Sequence, residues 1–231
     1  MRGFRTMIRT LKRIAARLPN RWQQELKRRR FARQIRAGEF RTGEPEFEAL
    51  GGMVSAGDWV LDVGANIGHY TLRLAELVGP TGRVIAFEPV PDTFEILSAN
   101  AALAPAPNIT LINTAASDAA AEVAMAVPRS PETGLADFYC AQIGGEGGMG
   151  YRVLAFPVDA FGFSRPIRLI KIDAEGHELA VLRGMESLLR RDGPIVIVED
   201  NDPATVPFLE GLGYGSERRE GSGNRVYRKR P

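Results

Sequence analysis

The 231-residue chain is poor in the groups that staple small folds or build soft metal sites: it has one cysteine, Cys140, and two histidines, His69 and His177. A lone cysteine excludes an intramolecular disulfide and a cysteine-based zinc site, and two imidazoles cannot make a histidine-rich metal centre. No uncharged apolar run approaches the roughly 18 residues that would cross a bilayer. The first residues include Arg2, Arg5 and Arg9 but never open into the roughly 7 to 15 residue apolar core of a secretory signal. The default expectation is therefore a cytoplasmic protein.

What is present is a strong division of charge. Residues 1 to 41 hold 14 Arg and Lys against Glu25 and Glu39, a net of +12, whereas residues 42 to 231 hold 16 basic and 26 acidic side chains, a net of −10. The chain reads as a basic helical arm (1 to 43) joined to an acidic body (44 to 231). In the arm, Phe4, Met7, Ile8, Leu11, Ile14, Ala15 and Leu18 recur at helical spacing opposite Arg5, Arg9, Lys12 and Arg13. Pro19-Asn20 interrupts this pattern, and a second basic helix is expected from Arg21 to about Arg36, with Trp22, Leu26, Phe31 and Ile35 as its weaker apolar face.

From residue 58 short apolar runs alternate with helical patterns. WVLDVG (59 to 64), RVIAFE (83 to 88), ITLINT (109 to 114), IRLIKID (167 to 173) and PIVIVED (194 to 200) are too apolar for strands with one wet face. Helices are expected near 67 to 78, 91 to 104, 176 to 191 and 203 to 212. This order predicts an α/β fold with a doubly wound, mostly parallel sheet, closed by a C-terminal antiparallel hairpin around 213 to 219 and 224 to 228. An alternating strand at 121 to 127 precedes a Pro- and Gly-rich stretch, 128 to 150, expected to be an acceptor-side lid.

Chemistry concentrates at the carboxyl ends of the strands. Asp62-Val63-Gly64 leads through Ala65-Asn66 into a helix at Ile67-Gly68, a turn whose glycines let a ligand touch backbone and whose helix start supplies N–H groups. Glu88 ends the next strand, 24 residues after Gly64, where an acid can accept both hydroxyls of a ribose. The turn lacks the G-x-G-x-x-G of a pyrophosphate cradle, and Asp62 would repel a pyrophosphate but could hold an ammonium, so a cationic nucleoside fits better than a nicotinamide dinucleotide.

LDVGANIGHYT, AFEPVPDTFEILSAN, IKIDAEGHELAVLRGM and PIVIVED, in that order, resemble the FkbM family of S-adenosylmethionine-dependent methyltransferases over roughly residues 44 to 215. The resemblance implies a class I Rossmann-like methyltransferase sheet and O-methylation of hydroxyls on sugars, polyketides and related metabolites. Carried over, Gly64, Ala65, Asn66 and Gly68 would line the methionine portion, Glu88 would hold the ribose, Pro89 would flank the nucleoside, and Ala116, Ser117 and Asp118 would meet the adenine. His69 or Tyr70 would touch the cofactor carboxylate, with plain helix-start packing an equal account of both. Asp159 would serve most simply as a helix N-cap.

In KIDAEGHE, Asp173 is expected to face the donor methyl group, with Lys171 and Glu175 alternating about it. His177 has the intrinsic pKa suited to removing a hydroxyl proton near neutrality, with Asp173 or Glu175 as its partner. Asp173, Asp200 and Asn201 occupy places similar to a Mg²⁺ set in catechol-type O-methyltransferases, but FkbM-like proteins are not generally metal-dependent, so Mg²⁺ is not favoured and metal ligands stay unassigned. Glu199 or Asp200 is read as an acceptor-binding or structural carboxylate. The basic arm raises an alternative, an RNA methyltransferase or nucleic-acid-binding protein; the acidic body and the lack of an Asn-Pro-Pro-Tyr-like motif after the fourth strand disfavour it. The apolar stripe of the arm instead suggests docking on an acidic body, its own or that of a second protomer in a homodimer, ahead of an anionic membrane surface.

Overall fold

The computed structural model describes residues 18–128, 130, 140–144, 149–199 and 201–230. The first apolar stripe of the arm, most of the expected lid and Asp200 lie outside these residues. The basic helix forms as expected: α1 spans Asn20–Arg36. A short helix α2, Pro45–Ala49, then leads into the sheet.

The five apolar runs become β1 (Trp59–Val63), β2 (Arg83–Phe87), β3 (Ile109–Ile112), β8 (Ile167–Ile172) and β9 (Ile195–Glu199), all parallel. The C-terminal hairpin, β10 (Tyr214–Glu217) and β11 (Asn224–Lys229), pairs antiparallel, and β11 lies against β9. The order across this seven-stranded sheet is β10-β11-β9-β8-β1-β2-β3, and the direction in which strands are added switches between β1 and β8, which are themselves parallel. Helices α3 (His69–Val78) and α4 (Pro91–Ala101) cross between the first strands, and α5 (Glu178–Arg183), α6 (Glu186–Asp192) and α7 (Thr205–Gly211) between the later ones. Residues facing both ways from β1, β8 and β9 are buried, Leu61 and Ile170 in one cluster and Val60, Leu169 and Ile197 in another, which is why these strands read as continuous apolar runs.

Three features depart from the expectation. The helix read over 176 to 191 is two, α5 and α6, divided at Gly184. A Cβ at Gly184 would lie 1.8 Å from the Ser117 carbonyl oxygen, so the chain abuts the loop after strand three and cannot carry a side chain there. Secondly, a four-stranded sheet of order β4-β7-β5-β6 stands beside the main one: β4 is Ala115–Ala116, β5 Ala121–Val127, β6 Gln142–Ile143 and β7 Met149–Phe156. Within the stretch expected to be a lid, the described part therefore includes paired strand, Met125 and Ala126 against Ile143 and Gln142. Thirdly, Asp159 caps a helix, but a distant one: its two carboxylate oxygens accept the Ser187 and Leu188 N–H groups, each at 2.9 Å, at the start of α6.

Candidate functional site

The carboxyl ends of β1, β2, β8 and β9 open into one cavity of about 480 Å³. Its lining includes the end of β1 and its turn (Asp62 to Asn66), Glu88 and Pro89 after β2, Ala116 in β4, Lys171 in β8, and Asp173, Glu175 and His177 after it. Of the residues expected at a site, Gly68, Ser117 and Asp118 do not line it. Gly68 caps α3 in the left-handed conformation, with Leu97 packed where a side chain would project. Asp118 is exposed, and Ser117 lies behind the cavity wall, its Oγ 2.9 Å from His177 Nε2.

Glu88 joins the two ligand turns. One carboxylate oxygen accepts the Asn66 N–H and the other the Val90 N–H, each at 2.9 Å. Each oxygen keeps a lone pair for a further donor. Burial pushes its carboxyl up to about 7 despite these two bonds. Asp62, likewise buried, is pushed up to about 6 by desolvation, against the opposing effects of the Thr71 hydroxyl, 2.5 Å away, and of Lys171. Asn66 Oδ1 is enclosed and accepts no hydrogen bond, an orphaned acceptor on the cavity wall that a donor group of a ligand would satisfy.

Gly64 is required by the fold as well as by any ligand. Its φ is +77°, and an added Cβ would stand 1.8 Å from the Asp173 carbonyl oxygen. The space that the missing side chain vacates is thus filled by the β8 backbone rather than kept solely for a bound molecule.

The opposite half of the cavity is crowded with charge. Lys171 is 1% exposed; its Nζ lies 3.0 Å from Asn224 Oδ1, 3.4 Å from Asp173 Oδ2 and 5.3 Å from the centre of the Tyr70 ring. The carboxylates of Asp173, Glu175 and Glu199 offer oxygens that all lie within 4.8 Å of one another. Glu199 Oε2 is enclosed and receives no N–H or O–H. Burial first, then Asp173 and Glu175, push Glu199 up to about 8, with Lys171 acting in the opposite sense. The loop bearing these groups is held from behind by Glu178, buried, which accepts the Ala174 and Gly176 N–H groups at 3.2 and 3.0 Å.

Sequence reasoning missed the contribution of the lead-in segment. Thr42, on the arm side of the expected boundary, and Glu44 both line the cavity. Glu44 accepts the Tyr70 hydroxyl at 2.5 Å and the Asn224 amide at 3.1 Å, which ties the lead-in, α3 and β11 to Lys171. Phe40 stacks on His69 at 4.2 Å. No spacing in residues 37 to 47 signals any of this. Of the residues placed like a Mg²⁺ set, which was not favoured, Asp200 lies outside the described residues and Asn201 does not line the cavity.

The chain matches the Methyltransferase FkbM domain over residues 62–214. It is 31% identical over 160 residues to the hexuronic acid methyltransferase AglP of Haloferax volcanii, an alignment covering 66% of this chain and 61% of that protein. The chain thus spans about three-fifths of the length of that curated relative. Among solved structures it superposes on an FkbM methyltransferase from Methylobacillus flagellatus KT with a TM-score of 0.53 at 17% identity, over 75% of this chain and 43% of the other. A putative rRNA methylase from Clostridium thermocellum gives 0.51 at 14% identity, over 79% and 90% of the two chains. At such identities the likeness is one of fold, the Rossmann-like methyltransferase sheet with strand order as described above. By sequence match and by fold, this chain belongs to the FkbM methyltransferase family.

Proposed function

We propose that the protein is an S-adenosylmethionine-dependent O-methyltransferase that acts on a hydroxyl of a small-molecule or glycosyl acceptor. The observation that carries this reading is the placement of buried Glu88 and the Gly64–Asn66 turn in the same cavity as Asp173 and Glu199. Family membership and the printed activity of the Haloferax relative support it.

The residues present suit the donor. Gly64, Ala65 and Asn66 would hold its amino-acid portion, with the orphaned Asn66 Oδ1 as an acceptor and Asp62 near the ammonium. Glu88, with a free lone pair on each oxygen, would take the ribose hydroxyls, and Pro89 and Ala116 would flank the nucleoside. When bound, this donor supplies an electrophilic methyl group on a sulfonium. Transfer to oxygen needs an aligned hydroxyl and somewhere for its proton to go. Asp173, whose carboxylate lies 3.4 Å from Lys171 Nζ, would stand beside the acceptor hydroxyl and take up or orient its proton. Glu199, whose enclosed oxygen receives no donor and whose carboxyl is pushed up to about 8 by burial and by Asp173, would be the neighbouring group to which that proton could pass. His177, with Nε2 held by Ser117, is the neighbouring imidazole on the same loop and the second proton acceptor in this reading.

The test is methyl transfer from labelled S-adenosylmethionine to a panel of glycosides and polyols, with the product identified as an ether by mass spectrometry. Asp173→Asn and His177→Ala are expected to lower turnover by roughly two orders of magnitude while donor affinity stays within a few fold. Activity that survives EDTA and ignores added Mg²⁺ is expected. Methylation of nitrogen, or of RNA in preference to every hydroxyl acceptor, would reject the reading.

A further inference from the structure

Helix α1 has two faces with different fates. Gln24, Arg28, Phe31 and Ile35, at i, i+4, i+7 and i+11, turn to the body. Gln24 is 6% exposed, Arg28 pairs with Glu95, and Phe31 and Ile35 pack on a cluster of Phe40, Ile67, Leu72 and Ile96. Asn20 adds a 2.9 Å bond to Asp92. These contacts fix α1 on the body; the docking expected of the stripe from Phe4 to Leu18 falls almost wholly outside the described residues.

Among the described residues nothing covers the other face. Trp22, Leu26, Arg29, Arg33 and Arg36 stand at i, i+4, i+7, i+11 and i+14, one stripe of the helix, with Leu18 just before it and Arg30 alongside. Trp22 is 55%, Leu26 52% and Leu18 38% exposed; among the described residues the one other large exposed apolar side chain is Leu154, far along the chain. Three apolar side chains together, on an element already docked by its opposite side, are not accounted for by the fold of the described residues.

The geometry points to an anionic lipid surface as the partner of this face, with Leu18, Trp22 and Leu26 entering the headgroup boundary and Arg29, Arg30, Arg33 and Arg36 meeting lipid phosphates. A helix lying in that plane needs an apolar strip with basic side chains beside it, and an aromatic residue with a polar edge is favoured at the boundary. Charge complementarity separates this partner from the alternatives. A parallel two-fold pairing of α1 with its own copy would set one group of four arginines against another, and an antiparallel one centred on Trp22 and Leu26 would bury the apolar strip but offer the arginines no anionic partner. A head-to-tail contact would find Leu154 as its exposed apolar counterpart among the described residues. A nucleic-acid backbone satisfies the arginines but has no use for burying Leu18 and Leu26. The inference is independent of the reaction proposed above. It has a consequence for access, since Arg36 and the cavity-lining Thr42 are six residues apart.

The full chain, at about 0.15 M salt, is to be sedimented with vesicles of phosphatidylcholine containing about one-fifth phosphatidylglycerol, and with phosphatidylcholine alone. Binding to the anionic vesicles, absence of binding to the neutral ones, and a blue shift of tryptophan emission lost in Trp22→Phe are expected. Trp22→Ala with Leu26→Ala should weaken partitioning about tenfold or more. Replacing Arg29, Arg30, Arg33 and Arg36 by glutamine should weaken it about six-hundredfold, since each arginine near such a surface contributes about a factor of five. Neither variant should move the thermal midpoint. No vesicle binding by the wild type, or wild-type binding by both variants, overturns the inference. So does a dimer that dissociates in the Trp22, Leu26 variant, or RNA retention that this variant loses while vesicles are ignored.

Discussion

Replacing Gly64 by alanine sets a new methyl group against the backbone of β8, and the size of the penalty follows from two separate costs. The first is conformational: at φ +77° a side-chain-bearing residue sits in the left-handed region, at about 1–2 kcal/mol. The second is steric. The Cβ would lie 1.8 Å from the Asp173 carbonyl oxygen and 2.8 Å from its carbon. A carbonyl cannot swing aside as a side-chain tip does, and here it belongs to the residue whose N–H donates to the Val63 carbonyl at 3.0 Å, so relief requires β1 and β8 to part locally. Overpacking of this kind costs about 1–3 kcal/mol. The sum is about 2–5 kcal/mol, and for a chain of this size it lowers the thermal midpoint by about 5–15 °C. Gly176→Ala is the control, because Gly176 has φ +88° and nothing within 4 Å of an added Cβ. It carries the first cost without the second and should lower the midpoint by only about 2–6 °C. Differential scanning calorimetry of both variants decides the matter. If they lose the same stability, the contact with Asp173 is not what holds Gly64, and the turn is kept open for a ligand alone.

Other outcomes follow from the same geometry. Asp62, Glu88 and Glu199 have folded-state values raised to about 6, 7 and 8, so the ligand-free protein holds protons there that the unfolded chain releases at lower pH. Their contribution is fully present below the unfolded carboxylate values and is lost as pH rises through the folded ones, so the thermal midpoint should fall from about pH 5 to 9. Glu199→Gln should flatten the upper part of that fall, and a variant that tracks the wild type across pH 7 to 9 would contradict the assignment. Glu178→Gln should loosen the loop after β8, one oxygen still accepting its N–H groups, whereas Glu178→Ala should cost about 1–3 kcal/mol, read by chemical denaturation. Phe31→Ala with Ile35→Ala should lower the thermal midpoint by several degrees if α1 is docked on the body, and leave it unchanged if the helix merely trails from it.

Much of the main sheet was legible because its central strands are buried on both faces and so carry unbroken apolar runs, RVIAFE and PIVIVED among them. The cavity was legible by a related rule, that open α/β sheets place their ligands at the carboxyl edge, which brings Asp62, Glu88 and Asp173 together from the sequence alone. What was not legible depends on contacts between distant segments. The break at Gly184 is set by the Ser117 carbonyl, and helical periodicity runs through it undisturbed. The strands β6 and β7 sit in a stretch rich in glycine, and their pairing with β5 gives them what composition does not. Thr42 and Glu44 reach the cavity because α2 folds back beside α3, and the lead-in has no pattern of its own. Gly64 was located correctly but explained by one neighbour when it has another. Ser117 shows the same limit: the resemblance implies a base contact there, and no spacing signals that the fold turns its hydroxyl to His177.

The central claim, that the cavity holds S-adenosylmethionine through Glu88, is tested most directly by isothermal titration of the wild type and Glu88→Ala with that donor and with NAD. Binding of S-adenosylmethionine to the wild type is expected, with a loss of about 1–3 kcal/mol, roughly ten- to a hundredfold, in the variant once circular dichroism shows it folded, and no heat with NAD. NAD bound in its place, or donor affinity indifferent to Glu88, would contradict the account.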